Sequence, residues 1–90
     1  MPLVWRARAL ADIVRIARYI ATDNPVAAAR VANRLVLAGD GLVRFPRRGR
    51  PGRQSGTREL VAMPPYIIVY RVSGADEVTI LRVWHAARNR

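Results

Sequence analysis

Few side chains in this ninety-residue chain can move a proton near neutral pH. His85 is the only one whose unperturbed pKa lies there. Glu59, between Arg58 and Leu60, is either a general base or an ion-pair partner for an arginine, and the ion pair is the favoured reading. Against these stand sixteen basic residues, every one an arginine. Arginine grips phosphate and carboxylate with a planar fork but does not release its proton at ordinary pH. The cationic set therefore suits anchoring an anion better than acid–base work. No cysteine is present, which removes disulfides and thiolate metal sites, and one histidine is too few for a zinc site built from this chain alone. No cofactor or metal is expected.

Six acids against sixteen arginines leave a net charge of +10. So strong a field implies an anionic partner: nucleic acid, an acidic protein or an anionic membrane surface. The excess is concentrated. Residues 44–58 carry six arginines and no acid, a local +6, against +3 for residues 1–43 and +1 for residues 59–90. Solvated loops usually mix signs, so this segment is read as a contact surface. The lack of lysine also has a plain explanation in GC-rich coding.

The elements that must position these groups follow from periodicity. Tyr66-Ile67-Ile68-Val69-Tyr70-Arg71-Val72 and Val78-Thr79-Ile80-Leu81-Arg82-Val83-Trp84 are β-branched and aromatic runs joined by Ser73-Gly74-Ala75-Asp76, which predicts an antiparallel hairpin at the heart of the core. Residues 58–63 predict a strand before Pro64-Pro65, and Leu3-Val4-Trp5 a brief first strand. Between them, Leu10, Ile13, Val14, Ala17 and Ile20 recur at helical spacing, with Arg8, Asp12, Arg15, Arg18 and Thr22 on the other side, so residues 9–22 predict one helix. Asn24 as cap and Pro25 as first helical residue start a second over 25–43, whose inward face is Ala28, Val31, Ala32, Leu35, Ala38 and Leu42. Gly39 and Gly41 make its last turns the weakest. Residues 44–57 read as loop.

The expected fold is thus α+β: a short amino-terminal strand, then a helical hairpin packed on one face of a carboxy-terminal antiparallel sheet of about three strands. Residues 1–90 form a single domain. No run reaches the roughly 18 apolar residues of a membrane helix, and the start Met-Pro-Leu-Val-Trp-Arg lacks the pattern of a signal peptide. A cytoplasmic protein with no membrane partner is expected. Trp5 and Trp84 are read as buried or half-buried rather than as base-stacking platforms.

Several stretches, taken together and in order, carry a resemblance: Ala9-Leu10-Ala11-Asp12-Ile13, Ile16, Tyr19-Ile20-Ala21, Asn24-Pro25-Val26-Ala27-Ala28, Phe45-Pro46 with Gly49-Arg50-Pro51-Gly52, Gly56-Thr57-Arg58-Glu59-Leu60, the run 66–72, and Ile80-Leu81-Arg82-Val83-Trp84-His85-Ala86-Ala87-Arg88. The chain resembles the RelE/ParE toxins of type II toxin–antitoxin systems, also known as plasmid stabilisation proteins. The resemblance implies a compact toxin that forms a hetero-oligomer with a cognate antitoxin, ParD-like or similar, whose segments lie across the helices and the sheet. It also implies one of two targets. The RelE-like branch cuts messenger RNA on the ribosome, and the ParE-like branch poisons DNA gyrase.

RNA cleavage through the 2′-hydroxyl requires a base, an acid and a cation for the charge developing on phosphate. The ribonuclease branch takes part of this from an arginine near the start of the hairpin's first strand, and from an arginine and a terminal tyrosine after the last. Here Ile67 holds the first position, residues 86 and 87 are alanines, and no tyrosine follows. The ParE-like reading is therefore preferred, with no catalytic residues. If the chain is a nuclease, the set is Glu59, His85 and Arg88. Otherwise His85 is a polar cap at the sheet's end. The residues expected to contact a partner are Arg47, Arg48, Arg50, Arg53, Arg58, Arg71, Arg82, Trp84, His85 and Arg88. A simple basic nucleic-acid-binding domain ranks third, because no recognition helix or aromatic-studded sheet face is evident.

Overall fold

The computed structural model describes residues 3–87. Strand β1 (Leu3–Trp5) leads into helix α1 (Ala7–Ala21), and helix α2 (Pro25–Asp40) continues as a 3-10 turn over Gly41–Val43. Strands β2 (Arg50–Pro51), β3 (Arg58–Met63), β4 (Tyr66–Ser73) and β5 (Glu77–His85) follow. The helical hairpin arises as expected: the Asn24 side chain accepts the Ala27 N–H at 3.0 Å, and Pro25 fills the first helical position, where its missing donor costs nothing. No helix among the described residues is long and apolar enough to cross a membrane.

The sheet has five strands in the order β1-β5-β4-β3-β2, not three. β1 runs parallel to β5, and the other pairs are antiparallel. The two additions are edge strands: β1, expected as a strand at Leu3–Trp5 but not as part of this sheet, and the two-residue β2, too short to show alternation and read as loop. α1 starts two residues earlier than periodicity places it, and α2 yields to the tighter turn at Gly41.

Both helices cover one face of the sheet. The core joins Ala9 and Ile13 of α1, Val31 and Leu35 of α2, Leu42, and Leu60, Tyr66, Ile68, Tyr70, Val78, Ile80 and Val83 of the strands. Each large side chain taken out of water contributes about 1.5–3 kcal/mol before entropy is set against it. On β5 the inward residues are Val78, Ile80 and Val83, a spacing of two and then three. A β-bulge causes the change of step: Tyr70 pairs with Ile80 but Val69 pairs with Arg82, leaving Leu81 as the extra residue. Beyond the bulge the phase of β5 is reversed.

α1 corrects the periodicity reading. Its inward stripe is Ala9, Asp12, Ile13, Ile16 and Ile20. Leu10 and Val14, expected inside, are 46 % and 48 % exposed, whereas Asp12, expected outside, is 2 % exposed. The helix is turned because Asp12 has an ionic partner on β5, a term that apolar spacing does not count.

Candidate functional site

The face of the sheet that the helices leave bare is built from side chains of alternate parity. Antiparallel partners project to the same side. Tyr66, Ile68 and Tyr70 point to the helices, so Ile67 and Val69 point away, and with them go their partners Trp84 and Arg82 on β5 and Glu59 on β3. Two adjoining hollows occupy this face. One of about 520 Å³ is lined by Arg6, Ala7, Arg8, Gln54, Val69, Leu81, Arg82 and Trp84. The other, about 340 Å³, is lined by Arg53, Gln54, Thr57, Glu59, Val69 and Trp84. They share Gln54, Val69 and Trp84 and form one groove with an apolar floor and arginines along its margins.

Arg82 is held from beneath. Its Nε and Nη2 donate to the two carboxylate oxygens of Asp12 at 2.8 and 3.0 Å, and the Val83 N–H donates to Asp12 Oδ2 at 2.9 Å. Arg15, one turn along α1, also pairs with Asp12. Burial by itself pushes the Asp12 carboxyl up. The hydrogen bonds from Arg82 and Val83, with the charges of Arg82 and Arg15, outweigh it and hold the group below its ordinary value. The hydrogen bond to Asp12 raises the Arg82 guanidinium above its usual value, so it stays charged. So fixed, the guanidinium lies over the Trp84 ring, 5.3 Å from its centroid. α1 thus sets the position of a cation that lines the groove.

The arginine segment is ordered by contacts rather than by composition. The Gly49 N–H donates to the Tyr70 hydroxyl at 2.8 Å, and a methyl group on Gly49 would lie 2.7 Å from that oxygen and 2.8 Å from the Glu59 carbonyl oxygen. Arg58 Nη1 donates to the carbonyls of Gly49 at 2.7 Å and Arg47 at 3.3 Å. Arg47 pairs with Asp76 in the β4–β5 turn at 2.6 Å, and Arg50 with Glu59 at 3.4 Å. Glu59, 4 % exposed, also accepts the Arg53 N–H at 3.2 Å. A third hollow of about 240 Å³ lies at Arg47, Pro51, Gly56, Thr57, Arg58 and Val72.

The structure brings together some of the expected contact residues and separates others. Arg53, Arg82 and Trp84 line the groove, with Glu59 at its base. Arg47 and Arg58 lie at the third hollow instead, because Arg58 pairs with Tyr70 and shares its parity. Arg48 and Arg71 are exposed outside these hollows, and Arg50 is engaged with Glu59. His85 pairs with Tyr66 on the helix side of the sheet, its ring edge-on to that tyrosine at 5.6 Å, and its Nδ1 accepts the Ala87 N–H at 3.2 Å. Glu59 and His85 are thereby on opposite faces. Arg88 lies outside the described residues. Arg6, Arg8, Gln54 and Leu81 were not foreseen as groove residues. Their one sequence signal is the pair Arg6-Ala7-Arg8 beside a strand, which composition alone does not aim anywhere.

Comparison with known proteins agrees with this architecture. The family model described as the ParE toxin of type II toxin–antitoxin systems, parDE, matches residues 3–90. Toxin RelE2 of Caulobacter vibrioides is 48 % identical over 86 residues, spanning 96 % of each chain. Y4kP of Sinorhizobium fredii, provisionally named a toxin, is 52 % identical over 83 residues, 91 % of this chain and 84 % of its own. Among solved structures, a chain of the chromosomal ParDE toxin–antitoxin system from P. aeruginosa superposes with a TM-score of 0.82 at 29 % identity, over 94 % of this chain and 95 % of that one.

Proposed function

We propose that this chain, which belongs to the ParE toxin family of type II toxin–antitoxin systems, inhibits DNA gyrase by protein–protein contact and is held silent by a cognate ParD-like antitoxin. It acts in the cytoplasm, as one domain and without catalytic chemistry of its own. The observation that supports the gyrase side is the separation of the groups a ribonuclease would need. A general base has to come within about 3 Å of the proton it takes. Glu59 is turned to the bare face and paired with Arg50, while His85 faces the helices. Ile67, at the position where the ribonuclease branch carries a phosphate-binding arginine, is 3 % exposed and paired with Trp84.

Names in both branches occur among the similar proteins, so ribosome-dependent cleavage of messenger RNA is the competing outcome. Purified gyrase with the toxin added should lose supercoiling activity or accumulate cleaved DNA, and addition of the antitoxin should restore it. Mapping of messenger ends after induction should show no new codon-dependent cuts. Unaffected gyrase together with new cuts on ribosomes would replace this reading with the RelE-like one.

A further inference from the structure

Two surfaces of different chemistry lack a partner among the described residues. One is apolar and helical, where Leu10, Val14 and Leu37 are exposed by 46 %, 48 % and 70 %. The other is the groove on the bare face of the sheet. We infer that the groove is where the toxin holds its target, and that the target offers an acidic peptide segment bearing an apolar side chain. The inference rests on the toxin reading above and on a protein target.

Charge is the first argument. Of the groove's charged groups, Arg82 is already neutralised by Asp12, and the buried carboxylate of Glu59 by Arg50. Arg6, Arg8 and Arg53, all exposed, have no ion pair among the described residues. Three uncompensated guanidinium groups around one mouth attract carboxylates, and arginine takes them bidentately. The floor supplies the second requirement: Leu81 and Trp84, both half-buried, are apolar and would pack against an aliphatic side chain.

A nucleic-acid strand fits the same groove less well. Bases bind single-strand sites by stacking on successive aromatic faces. Among the described residues the only aromatic one lining the groove is Trp84, and Arg82 already lies over its ring. The antitoxin also fits less well, because long-lived partners favour the more apolar surface and charge-lined margins favour rapid, transient encounter. The helical stripe supplies the first kind of surface and the groove the second.

The test compares the full chain with Arg8→Glu/Arg53→Glu in the groove and with Arg30→Glu/Arg34→Glu, which makes the same charge change on exposed positions of α2. An acid introduced at residue 8 falls in the first turn of α1, where the helix dipole favours it. Growth arrest on induction, inhibition of gyrase and affinity for the antitoxin are measured for each. The groove variant should need at least about tenfold more protein for the same inhibition, with antitoxin affinity within about threefold, and the α2 variant should keep its toxicity.

Undiminished arrest by the groove variant overturns the inference, and so does an equal loss in the α2 variant, which would make bulk charge the cause. Antitoxin affinity that falls in step with toxicity gives the groove to the antitoxin instead. A parallel loss of binding to single-stranded RNA gives it to a polyphosphate. A wild-type chain that arrests nothing leaves no target to hold and also overturns it. Arrest that depends on the groove while wild-type toxin leaves gyrase untouched sustains the inference and refutes only the choice of gyrase.

Discussion

Asp12 shows how one side chain serves both stability and the groove. It is 2 % exposed and satisfied by Arg82, Val83 and Arg15. Asp12→Asn keeps the shape but removes the charge, leaving Arg82 beside a neutral amide. Breaking a buried pair costs about 3–5 kcal/mol; because Arg82 is partly exposed and can rehydrate, about 2–3 kcal/mol is expected, read from urea unfolding. The pH dependence has a definite sign. Asp12 titrates lower when folded, so its contribution is fully present above the unfolded aspartate pKa of about 3.9. It is lost as pH falls through the folded value, and Asp12→Asn should flatten that limb of the stability curve. Tyr70 has a narrower role. Tyr70→Phe leaves the buried Gly49 N–H without an acceptor and should cost about 1–2 kcal/mol in a thermal melt, with faster exchange of that amide.

At the scale of elements, the carboxy-terminal turns of α2 hold two glycines with opposite meanings. A methyl group on Gly39 would lie 2.3 Å from Trp5 Cζ2 and 2.9 Å from Ile80 Cδ1. Trp5 is not free to retreat, because its Nε1–H donates to Asp40 at 2.9 Å. Gly39→Ala recovers about 1 kcal/mol of helix propensity but overpacks by about 1–3 kcal/mol, so a net loss of about 1 kcal/mol is expected. Gly41, with φ −66 and open space where a Cβ would stand, has no such constraint. Gly41→Ala should stabilise by about 0.5–1 kcal/mol, because only the unfolded chain loses freedom. Denaturant midpoints moving in opposite directions would verify both. The exposed apolar stripe of α1 belongs to this scale too, since the helix turned to bury Asp12 and presented Leu10 and Val14 outward.

For the whole molecule, the net charge of +10 acts as a field rather than as pairs. Only four ion pairs occur among the described residues, and three carboxylates, Asp12 twice, Glu59 and Asp76, make all of them. Most arginines therefore remain available to attract an anionic surface. Screening shortens from about 10 Å at 0.1 M salt to about 3 Å at 1 M. The association rate with the antitoxin should fall by about tenfold or more over that range while dissociation changes little, measurable by stopped-flow mixing. A rate indifferent to salt would mean that the field plays no part in recognition.

What the sequence by itself determined is what short-range chemistry controls. The β4–β5 hairpin, the capped start of α2 at Asn24-Pro25, the inward face of α2 and the arginine-rich character of residues 44–58 all follow from neighbours a few positions apart. The family resemblance rests on the same local words. Only the tertiary structure decided which face each group serves. The bulge at Leu81 reverses the phase of β5, so Arg82 and Trp84 leave the side of Ile80 and turn to the bare face. Asp12 is buried by an arginine 70 positions away, and Arg6 and Arg8 line the same hollow as Arg82 and Trp84 because β1 pairs with β5 across nearly the whole chain. A one-residue insertion into a strand and a contact between distant residues leave no periodic trace. The groove was therefore not legible until the sheet was assembled.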